Sequence, residues 1–95
     1  MLIITLSGIL ENDSVQRKDN KGRNYIMFRV ICDEPDYKGN LAVNIFRCYG
    51  YNLNYSELKK GDFVFLTGNF RFSVRDGIID SEILVLNLSL GNIIQ

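Results

Sequence analysis

Residues 51–72 constrain the fold of this chain most strongly, because they combine the signs of a short helix with those of a strand that begins directly after it. Apolar side chains recur there at the spacing of one helical face, at Tyr51, Tyr55 and Leu58. Two lysines followed by Gly61 are typical of a helix C-terminus. Beyond Gly61, apolar and polar residues alternate as in a half-buried strand, with a bend or bulge expected at Gly68. The pattern predicts a small β domain with one short helix before its fourth strand.

Four other segments carry strand patterns bounded by turn residues, namely residues 2–10, 24–33, 41–49 and 78–90. In the second of them, the even positions from Ile26 to Cys32 are assigned to the core, and the odd positions form an outer face rich in large side chains. Residues 11–23 are polar and are predicted to form a loop with a tight turn at Asn20 and Gly22. A second turn is expected around Asp76 and Gly77. The sequence therefore predicts one all-β domain over residues 1–95.

Composition excludes several other classes of protein. The chain has 95 residues, of which 46% are hydrophobic and 23% charged, as in a folded soluble domain. No apolar run approaches the roughly 18 residues of a membrane span, and the N-terminus lacks a basic leader, so a cytoplasmic location is expected. Cys32 and Cys48 lie inside strand patterns without metal-site spacing. We predict that they are reduced core residues, with a disulfide as the weaker alternative.

Charge and residue types also argue against an enzyme. The 11 Lys and Arg residues balance 11 Asp and Glu residues, so any attraction for a polyanion must be local. There is no histidine, no Gly-rich phosphate loop and no carboxylate pair with the spacing of an acid-base site. We therefore expect no catalytic residues, no cofactor and no metal.

Several short motifs in this order resemble a known family. They are Leu6-Ser-Gly-Ile-Leu10, Phe28-Arg-Val30, Cys48-Tyr-Gly50, Glu57-Leu-Lys-Lys-Gly-Asp62 and Val64-Phe-Leu-Thr-Gly68. Together they are similar to the DNA-binding domain of bacterial and phage single-stranded DNA-binding proteins, over about residues 2–90. The resemblance implies a five-stranded Greek-key OB-fold barrel with one short helix between strands 3 and 4.

Two departures from the family pattern are visible in the sequence. The chain has no tryptophan, so base stacking would fall to Tyr and Phe, and it ends soon after Gly91 without the family's Gly- and Pro-rich acidic tail. It therefore resembles a tail-less member, similar to primosomal replication protein N or a phage or plasmid version. Truncation of a longer gene product would give the same ending.

The resemblance implies a binding site on the outer face of the second, third and fourth strands and in the neighbouring loops. Single-stranded nucleic acid is held by aromatic rings that stack on bases and by cations that follow the phosphates. The candidate residues are Tyr25, Arg29, Arg47, Tyr49 and Arg71 on strands, and Tyr37, Lys38, Phe72 and Arg75 in or near loops. Tyr49 fits best because it directly precedes Gly50. Strand aromatics also serve as cross-strand packing partners, and strand arginines also serve solubility.

The expected function is binding of single-stranded DNA with little sequence preference, in replication, repair or recombination. RNA is an alternative ligand, and replication proteins are further candidate partners. Because both faces of the last predicted strand are apolar, we expect a homo-oligomer, a dimer or a tetramer. The alternative is an OB-fold protein-interaction subunit of a replication or mobile-element complex, with little affinity for DNA.

Overall fold

The computed structural model of the chain describes residues 1–35, 38–53 and 57–91, and it is all-β. Its six strands are β1 (Ile3–Leu10), β2 (Val15–Lys18), β3 (Asn24–Pro35), β4 (Leu41–Gly50), β5 (Phe63–Arg75) and β6 (Ile78–Leu90). None of the described residues forms a helix, and so none of them belongs to a helix that could cross a membrane.

The strand pairings close a ring. β1 pairs antiparallel with β5 along most of its length, and with β3 through Ile9 and Leu10. β3 pairs antiparallel with β4, and β5 with β6. β4 and β6 run parallel and meet at Cys48 and Tyr49. Five strands thus follow one another in the cycle β1-β3-β4-β6-β5, and β2 is an edge strand beside β3.

The core lies inside this ring. Its fully buried members include Leu10, Val30, Val64, Leu66 and Ile83. The inward assignment of the even positions from Ile26 to Cys32 is confirmed, since all four side chains are buried. Cys32 and Cys48 are buried and reduced, as predicted. Burial, with a smaller contribution from the nearby Cys32, raises the pKa of the Cys48 thiol to about 12, so the thiol stays protonated at neutral pH.

The short helix predicted before the fourth main strand is not supported, because the described part of that segment takes another conformation. Residues 57–59 are not helical, and a turn follows in which the Asp62 N–H donates to the Lys59 carbonyl over 3.0 Å. Gly61 has a φ of 90°, the left-handed conformation expected of it, but within this turn rather than at a helix end. Residues 54–56, including Tyr55, lie outside the described residues.

The physical reason is that groups from the loop after β1 bind the backbone that a helix would need. The Leu58 N–H donates to the Ser14 hydroxyl over 2.9 Å, and the Lys60 N–H donates to the Asp13 carboxylate over 2.8 Å. The Gly61 N–H donates to the Leu10 carbonyl over 3.0 Å. Donors that are bound outside the segment cannot form i to i−4 hydrogen bonds.

The expectation of five strands is also wrong, because part of the predicted loop over residues 11–23 forms β2. Its four residues are all exposed, so they show no two-residue apolar period. The strand is held by pairing with β3, from Val15 opposite Met27 to Lys18 opposite Asn24. The tight turn predicted after it is confirmed, since Gly22 has a φ of 79° and its N–H donates to the Asp19 carbonyl.

The bulge and turn predicted for the last hairpin are present. The register between β5 and β6 shifts at Thr67 and Gly68. A Cβ atom at Gly68 would lie 2.5 Å from the Ile83 side chain, so the close approach of the two strands needs glycine. Asp76 and Gly77 have φ values of 53° and 76°, as expected for the turn that joins these strands.

Candidate nucleic-acid interface

Three tyrosines form a cluster on the outer face of β3 and β4. The ring centroids of Tyr25 and Tyr51 are 5.3 Å apart, and those of Tyr25 and Tyr49 are 6.3 Å apart. Tyr49 and Tyr51 are separated by 6.5 Å with nearly perpendicular planes. All three side chains are half-buried, so part of each remains open to a ligand.

Polar groups fix two of the three rings. Arg71 of β5 donates to the Tyr49 hydroxyl over 2.9 Å. The Tyr51 hydroxyl donates to the Asp19 carboxylate over 3.2 Å, and the Arg23 guanidinium lies 5.1 Å from the Tyr51 ring centroid. These contacts join the cluster to β5 on one side and to the β2–β3 turn on the other.

Asp19 organises the β2–β3 turn. Its carboxylate accepts hydrogen bonds from the Lys21 and Arg23 N–H groups and from the Arg23 side chain, over 2.8 to 2.9 Å. Desolvation acts to raise the pKa of Asp19, but the hydrogen bonds from Arg23, Lys21 and Tyr51 outweigh it and lower the pKa. Desolvation and the Asp19 carboxylate raise the pKa of Tyr51. The Tyr51 hydroxyl therefore remains a neutral donor to a charged carboxylate.

Two arginines lie opposite each other on β3 and β4, and each is paired with a carboxylate. Arg29 faces Arg47 across the strands. Arg47 donates to Asp80 of β6 and, over 3.2 Å, to the Ser81 carbonyl. Arg29 lies 3.3 Å from the Glu11 carboxylate. The cations of this face are thus largely compensated within the protein.

Two adjoining cavities lie along the face. We call the first the tyrosine cavity; it has a volume of about 230 Å³ and is lined by Asp19, Tyr25, Met27, Arg47, Cys48, Tyr49, Tyr51 and Glu82. The second, the arginine cavity, has about 260 Å³ and is lined by Asn12, Asp13, Val15, Arg17, Met27, Phe28, Arg29, Arg47 and Cys48. Because they share Met27, Arg47 and Cys48, the two cavities form one groove across β3 and β4.

The structure brings together most of the strand residues that the sequence suggested. Tyr25, Arg47 and Tyr49 line the tyrosine cavity, and Arg71 bonds to Tyr49. Arg29 lines the adjoining arginine cavity. One face therefore carries aromatic rings and guanidinium groups side by side.

The loop residues do not join this cluster. Phe72 is 64% exposed and its ring packs 4.6 Å from that of Phe70, on the opposite face of β5 from Arg71. Lys38 is exposed in the β3–β4 loop, at the end of these strands away from Tyr49. Arg75 is the last residue of β5, and its side chain is not among those described. Tyr37 lies outside the described residues.

Tyr51 is the residue of the cluster that the sequence analysis assigned elsewhere, to a helical face. A usable signal was present, because Arg47, Tyr49 and Tyr51 continue the two-residue period of β4 past Gly50. Met27 and Glu82 also line the tyrosine cavity without having been singled out. Over the described ranges, no group of three or more His, Cys, Asp or Glu side chains could hold a metal ion.

No protein-family model matches the sequence, and no curated protein matches it. The solved structures that share this fold include single-stranded DNA-binding proteins. One is the mitochondrial single-stranded DNA-binding protein of S. cerevisiae, with a TM-score of 0.74 at 12% identity over 94% of this chain and 94% of that chain.

Two further structures show the same likeness. The Plasmodium falciparum protein in complex with single-stranded DNA has a TM-score of 0.71 at 20% identity, over 97% of this chain and 96% of that chain. A deletion mutant of the Thermus aquaticus single-stranded DNA-binding protein has a TM-score of 0.70 at 15% identity, over 95% of this chain and 50% of that chain. At these identities the likeness shows that the chain has the fold of these proteins.

Proposed function

We propose that this protein binds single-stranded DNA in the groove formed by the tyrosine and arginine cavities. The observation that carries the proposal is the cluster of Tyr25, Tyr49 and Tyr51 beside Arg47 and Arg71, on a fold shared with single-stranded DNA-binding proteins. The protein acts as a binder without sequence-specific contacts along most of the strand, and not as an enzyme.

Binding combines stacking with phosphate contacts. Unpaired bases stack on the exposed parts of the tyrosine rings, and each stacked base contributes about 1 to 3 kcal/mol. The guanidinium groups of Arg29 and Arg47, opposite each other across β3 and β4, contact the phosphates between those bases. A duplex cannot use the rings, because its bases are already stacked and paired. The groove therefore favours a single strand.

The proposal also includes self-association of the protein. Exposed apolar side chains cover the outer face of β1, β5 and β6, among them Ile3 and Phe65 at 47% and Leu86 at 54%. We propose that a second copy of the chain covers them in a dimer or tetramer. We also propose that the ring is a Greek-key barrel related to primosomal replication protein N. The proposed location is the cytoplasm, and the proposed role is in replication, repair or recombination. RNA and replication proteins are further proposed partners.

A second candidate function is favoured by one observation. Val43 and Ile45, on the outer face of β4 beyond Arg47, are 64% and 51% exposed. Together with the paired arginines, this aliphatic surface suits an apolar protein partner better than a polyanion. The candidate is therefore a protein-interaction subunit with little affinity for DNA.

Titration of a fluorescent oligo-dT strand, with a duplex of equal length beside it, separates the two functions. At about 20 mM salt we expect binding of the single strand alone, and clear weakening at about 200 mM, because phosphate contacts release counterions. Arg47→Ala should weaken binding, whereas Lys59→Ala, a cation that lines neither cavity, serves as the matched control. Absence of binding at low salt would overturn the proposal in favour of protein interaction.

A further inference from the structure

The tyrosine cavity contains a carboxylate that has no hydrogen-bond or ion-pair partner among the described residues, that of Glu82. Glu82 of β6 lines this cavity, and its side chain is exposed. Its cross-strand neighbour is Arg71, which donates to the Tyr49 hydroxyl instead. Within the described part of the chain, no hydrogen bond or ion pair joins the Glu82 side chain to another residue.

The other carboxylates near the groove differ from Glu82 in this respect. Asp19 accepts hydrogen bonds from Arg23 and Tyr51, and Asp80 accepts one from Arg47. Each of these two carboxylates thus accepts a hydrogen bond from the protein before any ligand arrives. Glu82 therefore offers two acceptor oxygens to whatever occupies the cavity.

The four bases differ in how well they can meet such a carboxylate. On its Watson–Crick edge, guanine presents two neighbouring donors, N1–H and the 2-amino group, and can bond both oxygens at once. Adenine and cytosine place an acceptor beside their amino group. Thymine flanks its N3–H with two carbonyl oxygens, which repel a carboxylate. In single strands these edges are free to be read by side chains.

We propose that the tyrosine cavity is a guanine-selecting base site, in which Glu82 accepts hydrogen bonds from N1–H and the 2-amino group while the base stacks on the tyrosine cluster. The inference rests on the proposed function and refines it at one base position, leaving the rest of the strand sequence-tolerant. The cavity, at about 230 Å³, has room for a single base.

The proposed contact between Glu82 and guanine also favours single-stranded over double-stranded DNA. In a duplex the Watson–Crick edge of guanine is engaged by cytosine, so Glu82 can accept its hydrogen bonds only from an unpaired guanine. Stacking on the tyrosines removes water from around the carboxylate, and hydrogen bonds to a charged acceptor gain strength when water is excluded. Selection of guanine and selection of a single strand therefore come from the same contact.

The test compares DNA strands of about 16 nucleotides, the upper end of an OB-fold site. One strand is all thymidine, one has isolated guanines among thymidines, and one has inosine in place of those guanines, which removes only the 2-amino group. Affinities are measured by fluorescence anisotropy for the full chain, for Glu82→Gln and for Glu57→Gln. Glu57 is an exposed glutamate that lines neither cavity.

We expect the unaltered chain to bind the guanine strand about fivefold more tightly than the thymidine strand, the low end for a bidentate base contact. Inosine should remove most of that difference. Glu82→Gln should bind the guanine and thymidine strands with equal affinity, whereas Glu57→Gln should keep the fivefold difference between them. Circular dichroism melting confirms that each variant is folded.

Two kinds of result would overturn the inference, and only one of them would also overturn the proposed function. Equal affinity for the three strands would rule out guanine selection, and a guanine preference that survives Glu82→Gln would show that Glu82 does not cause it; both outcomes keep single-strand binding. Failure of every strand to bind at low salt would remove the proposed function together with the inference.

Discussion

At the level of single residues, Tyr49 connects the parts of the groove. Its ring meets Tyr25 and Tyr51 at steep angles, and its hydroxyl accepts a hydrogen bond from Arg71. Arg71 belongs to β5, so the Tyr49 side chain links the β3–β4 hairpin to the β5–β6 hairpin. In the proposed complex, the ring supplies stacking area and the hydroxyl fixes where that area lies.

Replacing Tyr49 by alanine should weaken single-strand binding by about fivefold to a hundredfold, the range for loss of one stacked base. Tyr49→Phe keeps the ring and loses the hydrogen bond to Arg71, so we expect a smaller loss. Anisotropy titrations at one fixed salt concentration measure both. Equal losses in the two variants would mean that the hydroxyl matters and stacking does not.

Asp80 pairs with Arg47, the side chain for which we propose a phosphate contact. Asp80→Asn should therefore tighten DNA binding by about twofold to fivefold, as expected for release of an exposed ion pair. Asp76→Asn is the matched control, because it removes the same charge at the β5–β6 turn. If both variants tighten binding equally, the effect comes from overall charge and not from the contact with Arg47.

The residue scale also shows what could be predicted from sequence. Alternation on β3 and β4 correctly placed Tyr25, Arg29, Arg47 and Tyr49 on one face, because a strand exposes every second side chain. The role of Tyr51 was not predicted, since its spacing from Tyr55 also fits a helix. Ion pairs such as that of Arg47 with Asp80 join residues far apart in the chain, and no local pattern indicates them.

At the level of elements, the β5–β6 hairpin is shaped by its bulge. Opposite the shift at Gly68, Leu86 is the extra residue of β6 and is 54% exposed, while Val85 before it and Leu88 two residues after it are buried. The extra residue changes which side chains of β6 face inward. The beginning of the hairpin can therefore close the core while its far end carries Arg71 and Glu82 to the groove.

Gly68→Ala should lower the free energy of unfolding by about 1 to 3 kcal/mol, the usual cost of overpacking. The added Cβ would lie 2.5 Å from the Ile83 side chain and 2.7 Å from the Leu84 carbonyl oxygen. Urea denaturation followed by circular dichroism measures the change. Ser73→Ala, at an exposed position of the same strand, should leave stability within about 0.5 kcal/mol.

The segment before β5 shows why element types are harder to predict than strand faces. The two lysines and Gly61 suit a helix end, and they equally suit a β-turn with one left-handed residue. The choice is made by Ser14 and Asp13, which bind the backbone at Leu58 and Lys60. These partners come from more than forty positions earlier in the chain, so local sequence cannot decide the outcome.

At the level of the whole molecule, electrostatics gives the protein no general attraction for a polyanion. Its charges balance, and Arg29, Arg47 and Arg71 at the groove are already paired or hydrogen-bonded. The proposed affinity for DNA must then come mainly from stacking, with few counterions released. We therefore expect moderate rather than very tight binding of DNA.

The salt dependence of binding should accordingly be shallow. We assume that Arg29, Arg47 and Arg71 each contact one phosphate. A plot of the logarithm of the binding constant against the logarithm of the salt concentration should then have a slope of about −2. Titrations at several salt concentrations give the slope. A much steeper slope would require further cations, such as Arg17 and Lys18 of β2, to contact the strand as well.

Two junctions of the ring are narrow, each with two registered pairs, and one of them is the parallel meeting of β4 and β6 at Cys48 with Ile83 and Tyr49 with Leu84. The contact of Arg47 with Asp80 and Ser81 crosses the same junction just beside them. In the proposed complex, a phosphate that draws Arg47 away would remove a tie between the two strands. Occupancy of the groove and closure of the ring would then be thermodynamically coupled, and amide hydrogen exchange around Cys48 and Ile83 would report how much of the binding energy goes into opening that junction.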